Sequence, residues 1–125
     1  MTSWYDETIH SGFRSGFIAD RIIFESQTDF QKLVIFENRV FGRVMMLDGI
    51  TQTTEADEFI YHESLSHLPI FAHGSVKNVL IIGGGDGGTA EEVLKHRNIE
   101  NVTLVEIDEM VVEVAQKKLQ VPQSD

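Results

Sequence analysis

The sequence predicts an α/β protein of two unlike parts: a small amino-terminal antiparallel β-domain, then the first βαβα units of a doubly wound parallel sheet. Three observations carry this. The apolar run Val79-Leu80-Ile81-Ile82 passes directly into Gly83-Gly84-Gly85-Asp86-Gly87-Gly88, a strand entering a glycine turn. A helical stretch and a second apolar run, Val102-Thr103-Leu104-Val105-Glu106-Ile107, follow, and this alternation marks a parallel sheet with crossover helices. Upstream, short apolar runs are punctuated by turn residues, among them Asp48-Gly49, a strong two-residue hairpin signal.

Residues 1–53 form the β-strand domain in this reading. Phe17-Ile18-Ala19 and Ile22-Ile23-Phe24 flank an Asp20-Arg21 turn, 32–37 is a third strand, 41–47 a fourth, and 50–53 returns from the hairpin. The alternation is imperfect, which leaves the register open. Residues 54–75 hold a helix and a linker. Thr54 suits an N-cap, Glu55, Asp57 and Glu58 suit the positive end of the helix dipole, and Pro69 is expected to stop the helix at 68. Residues 76–125 comprise strand 76–82, the glycine loop, helix 87–96, strand 101–107 and helix 109–119, whose Val111, Ala115 and Leu119 share one face. The two strands are apolar enough for cover on both faces, which calls for a sheet of several strands. The expectation is a truncated chain, or one completed by strands from another polypeptide.

Composition narrows the function classes. There is no cysteine, hence no disulfide framework, zinc–cysteine site or thiol nucleophile. The start, Met1-Thr2-Ser3-Trp4-Tyr5-Asp6-Glu7, lacks the basic and apolar regions of a signal peptide, and no apolar run approaches the roughly 18 residues of a membrane helix. A cytoplasmic protein without a membrane partner is expected. With 20 acidic against 10 basic residues the net charge is −10, which repels nucleic acid phosphates and would help attract small cations, the alternative being that it only keeps the protein soluble. No Gly-x-Ser-x-Gly elbow occurs, and Gly88 is followed by Thr89 without the lysine of a phosphate loop. The sequon Asn101-Val102-Thr103 is discounted because it falls at a predicted buried strand of a cytosolic-looking protein.

The candidate chemistry sits in two clusters. Gly83, Gly85 and Gly88 fit Gly-x-Gly-x-x-Gly, in which missing side chains permit a sharp turn and close approach of a ligand. Asp86 lies inside that loop, where its charge repels a pyrophosphate. A nucleoside without phosphate, or one carrying positive charge such as a sulfonium, suits the loop better than NAD does. Glu106 ends the second strand 20 residues after Asp86, the place from which an acid accepts hydrogen bonds from a ribose diol. Asp108 either touches the nucleoside or caps the last helix. The second cluster is Tyr61 and His62, in mid-helix beside several carboxylates. A phenol and an imidazole near acids can hold an amine and help deprotonate it, the alternative being a partly buried pair with ordinary partners. No metal site is expected: His62 and His67, five apart, diverge around the helix. His10, His73 and His96 are read as solvated.

Together these clusters resemble the polyamine aminopropyltransferases, and among them the bacterial spermidine synthases. The resemblance runs through almost the whole chain. It includes Glu7-Thr8-Ile9-His10, Thr28-Asp29-Phe30-Gln31, Phe41-Gly42-Arg43-Val44-Met45, Leu47-Asp48-Gly49, Gln52-Thr53-Thr54-Glu55, Asp57-Glu58-Phe59-Ile60-Tyr61-His62-Glu63, His67-Leu68-Pro69, the glycine loop and Val105-Glu106-Ile107-Asp108. It implies a small β-domain followed by a Rossmann-like domain of the methyltransferase type. It also implies transfer of an aminopropyl group from decarboxylated S-adenosylmethionine to putrescine, giving spermidine and 5′-methylthioadenosine. No cofactor is implied, since decarboxylated S-adenosylmethionine is a co-substrate.

By the same resemblance Gln31, Leu47, Gln52 and Glu106 line the methylthioadenosine part. Asp86 binds the aminopropyl amine, His62 and Tyr61 border the polyamine, and Tyr61 helps set the protonation of the attacking nitrogen. A homodimer or homotetramer is implied. The family's catalytic aspartate and the acidic pair on the adenine lie beyond the segment present here, so this chain alone is expected to be inactive. Ala90-Glu91-Glu92 stands where many members carry leucine, arginine and glutamate, and Ala56 replaces a common arginine. A non-catalytic nucleoside-binding module and an assembly fragment are the competing readings.

Overall fold

A computed structural model describes residues 3–119 and divides the chain into two compact units, Met1–Asp57 and Glu58–Asp125. The first unit contains β1 (Ser3–His10), β2 (Phe13–Ala19), β3 (Arg21–Gln27), β4 (Lys32–Asn38), β5 (Gly42–Leu47) and β6 (Ile50–Thr54). β1 and β2 form an antiparallel hairpin, and the other four make an antiparallel sheet in the order β3-β4-β5-β6. The central β4 reads Leu33-Val34-Ile35-Phe36 because both its faces are buried. Val34 and Phe36 pack with Ala19, Val44 and Met46 under Tyr5, Phe17 and Phe41. The Tyr5 ring stacks on Phe36 at 4.8 Å, and Phe17 meets Phe41 edge-on at 5.3 Å. Asp48 and Gly49 both take positive φ (49° and 76°), the geometry of a hairpin turn whose twist matches its strands. The Asp48 carboxylate accepts from the Lys32 amide at 2.8 Å, tying the turn to the start of β4.

Asp20-Arg21 is not a hairpin turn. β2 pairs with β1 and β3 with β4, so this dipeptide carries the chain between sheets. The sequence pattern hides β1, in which only Tyr5 and Glu7 are even half-buried. Asp20 donates its amide to the Glu37 carbonyl at 2.8 Å and accepts from the Arg39 side chain.

The second unit contains α1 (Glu58–His73), β7 (Asn78–Ile82), α2 (Gly88–Leu94), β8 (Asn101–Val105) and α3 (Glu109–Lys118). The helix expected over 54–68 is displaced at both ends. Thr54 closes β6, with its hydroxyl on the Asp57 carboxylate, so the acidic tract before Glu58 is turn. Pro69 lies inside α1, which continues to His73. Both Pro69 and Leu65, whose carbonyl loses its donor, are on the exposed side, where a vacant acceptor costs less than in the core. Gly74, at φ 79°, ends the helix by donating to the Ile70 carbonyl.

β7 and β8 run parallel, Asn78 opposite Asn101 through Ile82 opposite Val105. One face of this pair, with Val79, Ile81, Val102 and Leu104, packs against Ile70 and Val93. On the other face Leu80, Ile82 and Val105 are exposed, Ile82 at 84%. Among the described residues, therefore, only one face of these apolar strands is covered. Asn101 is exposed at the start of β8, not buried, and donates to Asn78. Asp108 is the N-cap of α3, accepting from the Met110 amide at 3.1 Å, which settles its capping role.

Candidate functional site

Parallel pairing brings the carboxyl ends of β7 and β8 to the same edge, and the site is built there. Gly83 leaves β7 with φ 79° and donates to the Val105 carbonyl at 2.8 Å, so the loop starts clamped to the end of the neighbouring strand. Gly87, also left-handed at φ 83°, turns the chain into α2. Between them the loop closes over two acidic side chains.

Glu106 is held from both sides. One carboxylate oxygen accepts from the Gly85 amide at 3.0 Å and the other from the Asp108 amide at 3.1 Å. This contact explains the second glycine of the fingerprint: a Cβ at position 85 would come within 2.8 Å of Glu106 Cγ and Oε2. The third glycine has a different neighbour. A Cβ at Gly88 would lie 2.6 Å from His62 Nε2 and closer still to Cε1 and Nδ1, where real Cβ atoms stay beyond 3.0 Å. His62 of α1 is thus seated against the first residue of α2.

Asp86 faces the same imidazole. Its Oδ2 is 3.3 Å from His62 Nε2, its Oδ1 accepts from the Gly88 amide at 3.3 Å, and only 13% of its side chain is exposed. The other ring nitrogen, Nδ1, bonds the Glu58 carboxylate one helical turn earlier. His62 is 3% exposed. Burial opposes its charged form, but the hydrogen bonds and charges of Asp86 and Glu58 prevail and raise its pKa to about 9. An imidazole that donates from both nitrogens is a cation. The loop carboxylate is therefore paired with an imidazolium inside the protein.

The remaining predicted residues are distributed as follows. Tyr61 is exposed, its ring edge-on to His62 at 5.3 Å. Gln31, Leu47 and Gln52 belong to the first unit. Gln31 closes a turn in which its amide and carbonyl both bond Thr28. Leu47 is half-buried at the end of β5, and Gln52 is exposed in β6 with its side chain on the Ile50 carbonyl. The antiparallel register sets the start of β4, the end of β5 and the start of β6 at one end of that sheet.

Sequence reasoning missed two features. Glu58 was read only as a first-turn charge, although its i, i+4 spacing to His62 was a usable signal. His96, read as solvated, is half-buried: it meets His67 at 2.8 Å, and His67 Nε2 donates to Glu92 at 2.9 Å. Glu92 is buried and also binds Lys95. Burial pushes its carboxyl up, yet the Lys95 and His67 bonds bring it below the ordinary value. His62 and His67 thus enter separate networks.

Two family models together match nearly all of the chain: the spermidine synthase tetramerisation domain over residues 3–55 and the spermine/spermidine synthase domain over residues 58–123. The chain belongs to the spermine/spermidine synthase family. It is 61% identical over 109 residues to a polyamine aminopropyltransferase of Erwinia tasmaniensis, covering 87% of this chain and 38% of that one. Identity to the polyamine aminopropyltransferase of Pectobacterium carotovorum is 55% over 116 residues, covering 93% and 40%. The crystal structure of spermidine synthase from Thermotoga maritima superposes with a TM-score of 0.88 at 50% identity, over 94% of this chain and 42% of that one. A spermidine synthase in complex with the transition-state analogue AdoDATO gives the same TM-score of 0.88 and covers 41% of that chain. The chain spans about 40% of the length of the curated relatives it matches. Among its described residues no helix is long and apolar enough to cross a membrane.

Proposed function

We propose that this chain provides the β-domain and the donor-nucleoside half of the active site of a spermidine synthase. The observation that carries the reading is a glycine loop holding one carboxylate within itself and a second at the adjoining strand end. Glu106 would receive the ribose hydroxyls and Asp86 the ammonium left when the donor has lost its carboxylate. The glycines leave room for the nucleoside beside them.

In the reaction, the lone pair of a neutral putrescine nitrogen attacks the carbon next to the donor's sulfonium. The carbon–sulfur bond breaks, its electrons pass to sulfur, and 5′-methylthioadenosine leaves neutral, while the new secondary ammonium keeps its positive charge or releases its proton to solvent. The sulfonium supplies the activation, so the protein's work is alignment, holding of cations and control of one proton, without a cofactor. Tyr61 would adjust the protonation of the attacking nitrogen, His62 would border the polyamine, and Gln31, Leu47 and Gln52 would contact the methylthioadenosine part.

Similarity to relatives of which the chain spans about 40%, and the apolar face of β7 and β8 left exposed among the described residues, support a reading in which the chain contributes part of an active site. Alone, the chain should bind nucleoside without turnover. A homo-oligomer fits the tetramerisation-domain match, and the cytoplasm is its proposed location. Calorimetry tests the site. Decarboxylated S-adenosylmethionine and 5′-methylthioadenosine should bind, the former more tightly, and NAD should not. Binding of NAD, or of neither nucleoside, overturns the proposal.

A further inference from the structure

Glu58 lies on the α1 turn before His62 and contacts none of the loop residues assigned to ligand. Its carboxylate nevertheless completes a chain of three charges, Glu58–His62–Asp86, in which the imidazole ring bridges two acids. The ring is held in this orientation, because Gly88 backs onto its face and leaves no space for rotation toward α2. The titratable groups acting on it are Glu58 and the Tyr61 ring edge from α1 and Asp86 from the loop.

Charge bookkeeping gives the consequence. With all three groups charged the cluster carries one net negative charge. Without Glu58, Asp86 and the imidazolium cancel, and the cluster itself no longer attracts a cation. We infer that Glu58 is a positioning residue: through His62 it holds the Asp86 carboxylate at the glycine loop, and by offsetting the imidazolium it preserves that carboxylate's attraction for an ammonium group. The inference rests on the reading of Asp86 as an ammonium site and gives that site a second, remote determinant.

The test compares two probes on the full chain, decarboxylated S-adenosylmethionine, which carries the ammonium, and 5′-methylthioadenosine, which lacks it. Affinities are measured by calorimetry from pH 6.5 to 9.5 alongside an NMR titration of His62. In Glu58→Gln, which keeps the shape and the acceptor oxygen, the His62 midpoint should fall. The preference for the cationic probe at pH 7 should drop about fivefold, the size of one screened charge. It should recover at higher pH once His62 has lost its proton, as the cluster becomes negative again. In the unmodified chain the preference should rise as pH passes His62's own midpoint.

A purely structural Glu58 would weaken both probes alike and leave the preference independent of His62 titration. That result, or an unmoved His62 midpoint in Glu58→Gln, overturns the inference. If Glu58→Gln does not fold, a preference in the unmodified chain that stays flat while His62 titrates overturns it equally. Failure of the unmodified chain to bind either probe refutes the functional reading itself; binding of both with an unaltered preference in the variant refutes only the role of Glu58.

Discussion

Alanine at position 88 tests the packing on which the site depends. Gly88 opens α2 and its φ is not left-handed, so the backbone alone would accept alanine and gain up to about 1 kcal/mol from its greater helix propensity. The obstacle is His62, whose Nε2 would stand 2.6 Å from the new Cβ. The ring cannot retreat cheaply. It is 3% exposed and both nitrogens are engaged by carboxylates. Moving it sacrifices one or both charge-assisted bonds, each worth about 1.5–3 kcal/mol, and strands buried charge. The net expectation is a loss of about 2–4 kcal/mol. At about 3–5 °C per kcal/mol for a chain of this size, the Tm should fall by about 6–20 °C. Chemical unfolding and calorimetric scanning measure this directly, and an NMR titration should show the His62 midpoint lowered. Combining Gly88→Ala with His62→Ala should cost less than the sum of the single changes, since the second relieves the clash made by the first. A Gly88→Ala protein as stable as the original, with His62 titrating unchanged, would refute the proposed packing of imidazole against α2.

Three further outcomes follow from the same structure. His62 has its folded pKa raised from 6.5 to about 9, so its contribution is fully present below pH 6.5 and is lost as pH rises through 9. Urea unfolding should therefore show about 2–3 kcal/mol less stability at pH 9.5 than at pH 6, a slope that His62→Gln should flatten. Glu92 behaves oppositely: its lowered carboxyl pKa adds stability above about pH 4.5 that is lost on acidification, and Glu92→Ala should cost about 2–3 kcal/mol at pH 7 by stranding His67 beside His96. Phe36→Ala, removing a fully buried ring from beneath Tyr5 and Phe17, should cost about 3–5 kcal/mol in denaturant unfolding, with loss of near-ultraviolet circular dichroism from the first unit.

Two errors of the sequence reading have separate physical origins. Pro69 was expected to end α1, and the helix runs on because the missing donor falls on an exposed side. Asp20-Arg21 was expected to reverse the chain, and β1, an unremarkable polar stretch, captures β2 instead. In the first case exposure lessens a local cost of about 3 kcal/mol, and in the second the adjacent hairpin closed across Ser11-Gly12 takes β2 in place of one closed at Asp20-Arg21.

What the sequence by itself determined is written in the backbone: Asp48-Gly49 imposes its turn through left-handed φ, the apolar runs at 79–82 and 102–105 demand a parallel pair, and the glycine loop must follow the first of them. Periodicity and dihedral preference act within a few residues, so they are legible one segment at a time. The partner of Asp86 was not legible. His62 is 24 positions away on another helix, and Gly88 is glycine there because that ring needs the space. Only tertiary packing brings two acids to one imidazole, and their hydrogen bonds and charges outweigh the burial that would otherwise favour a neutral His62.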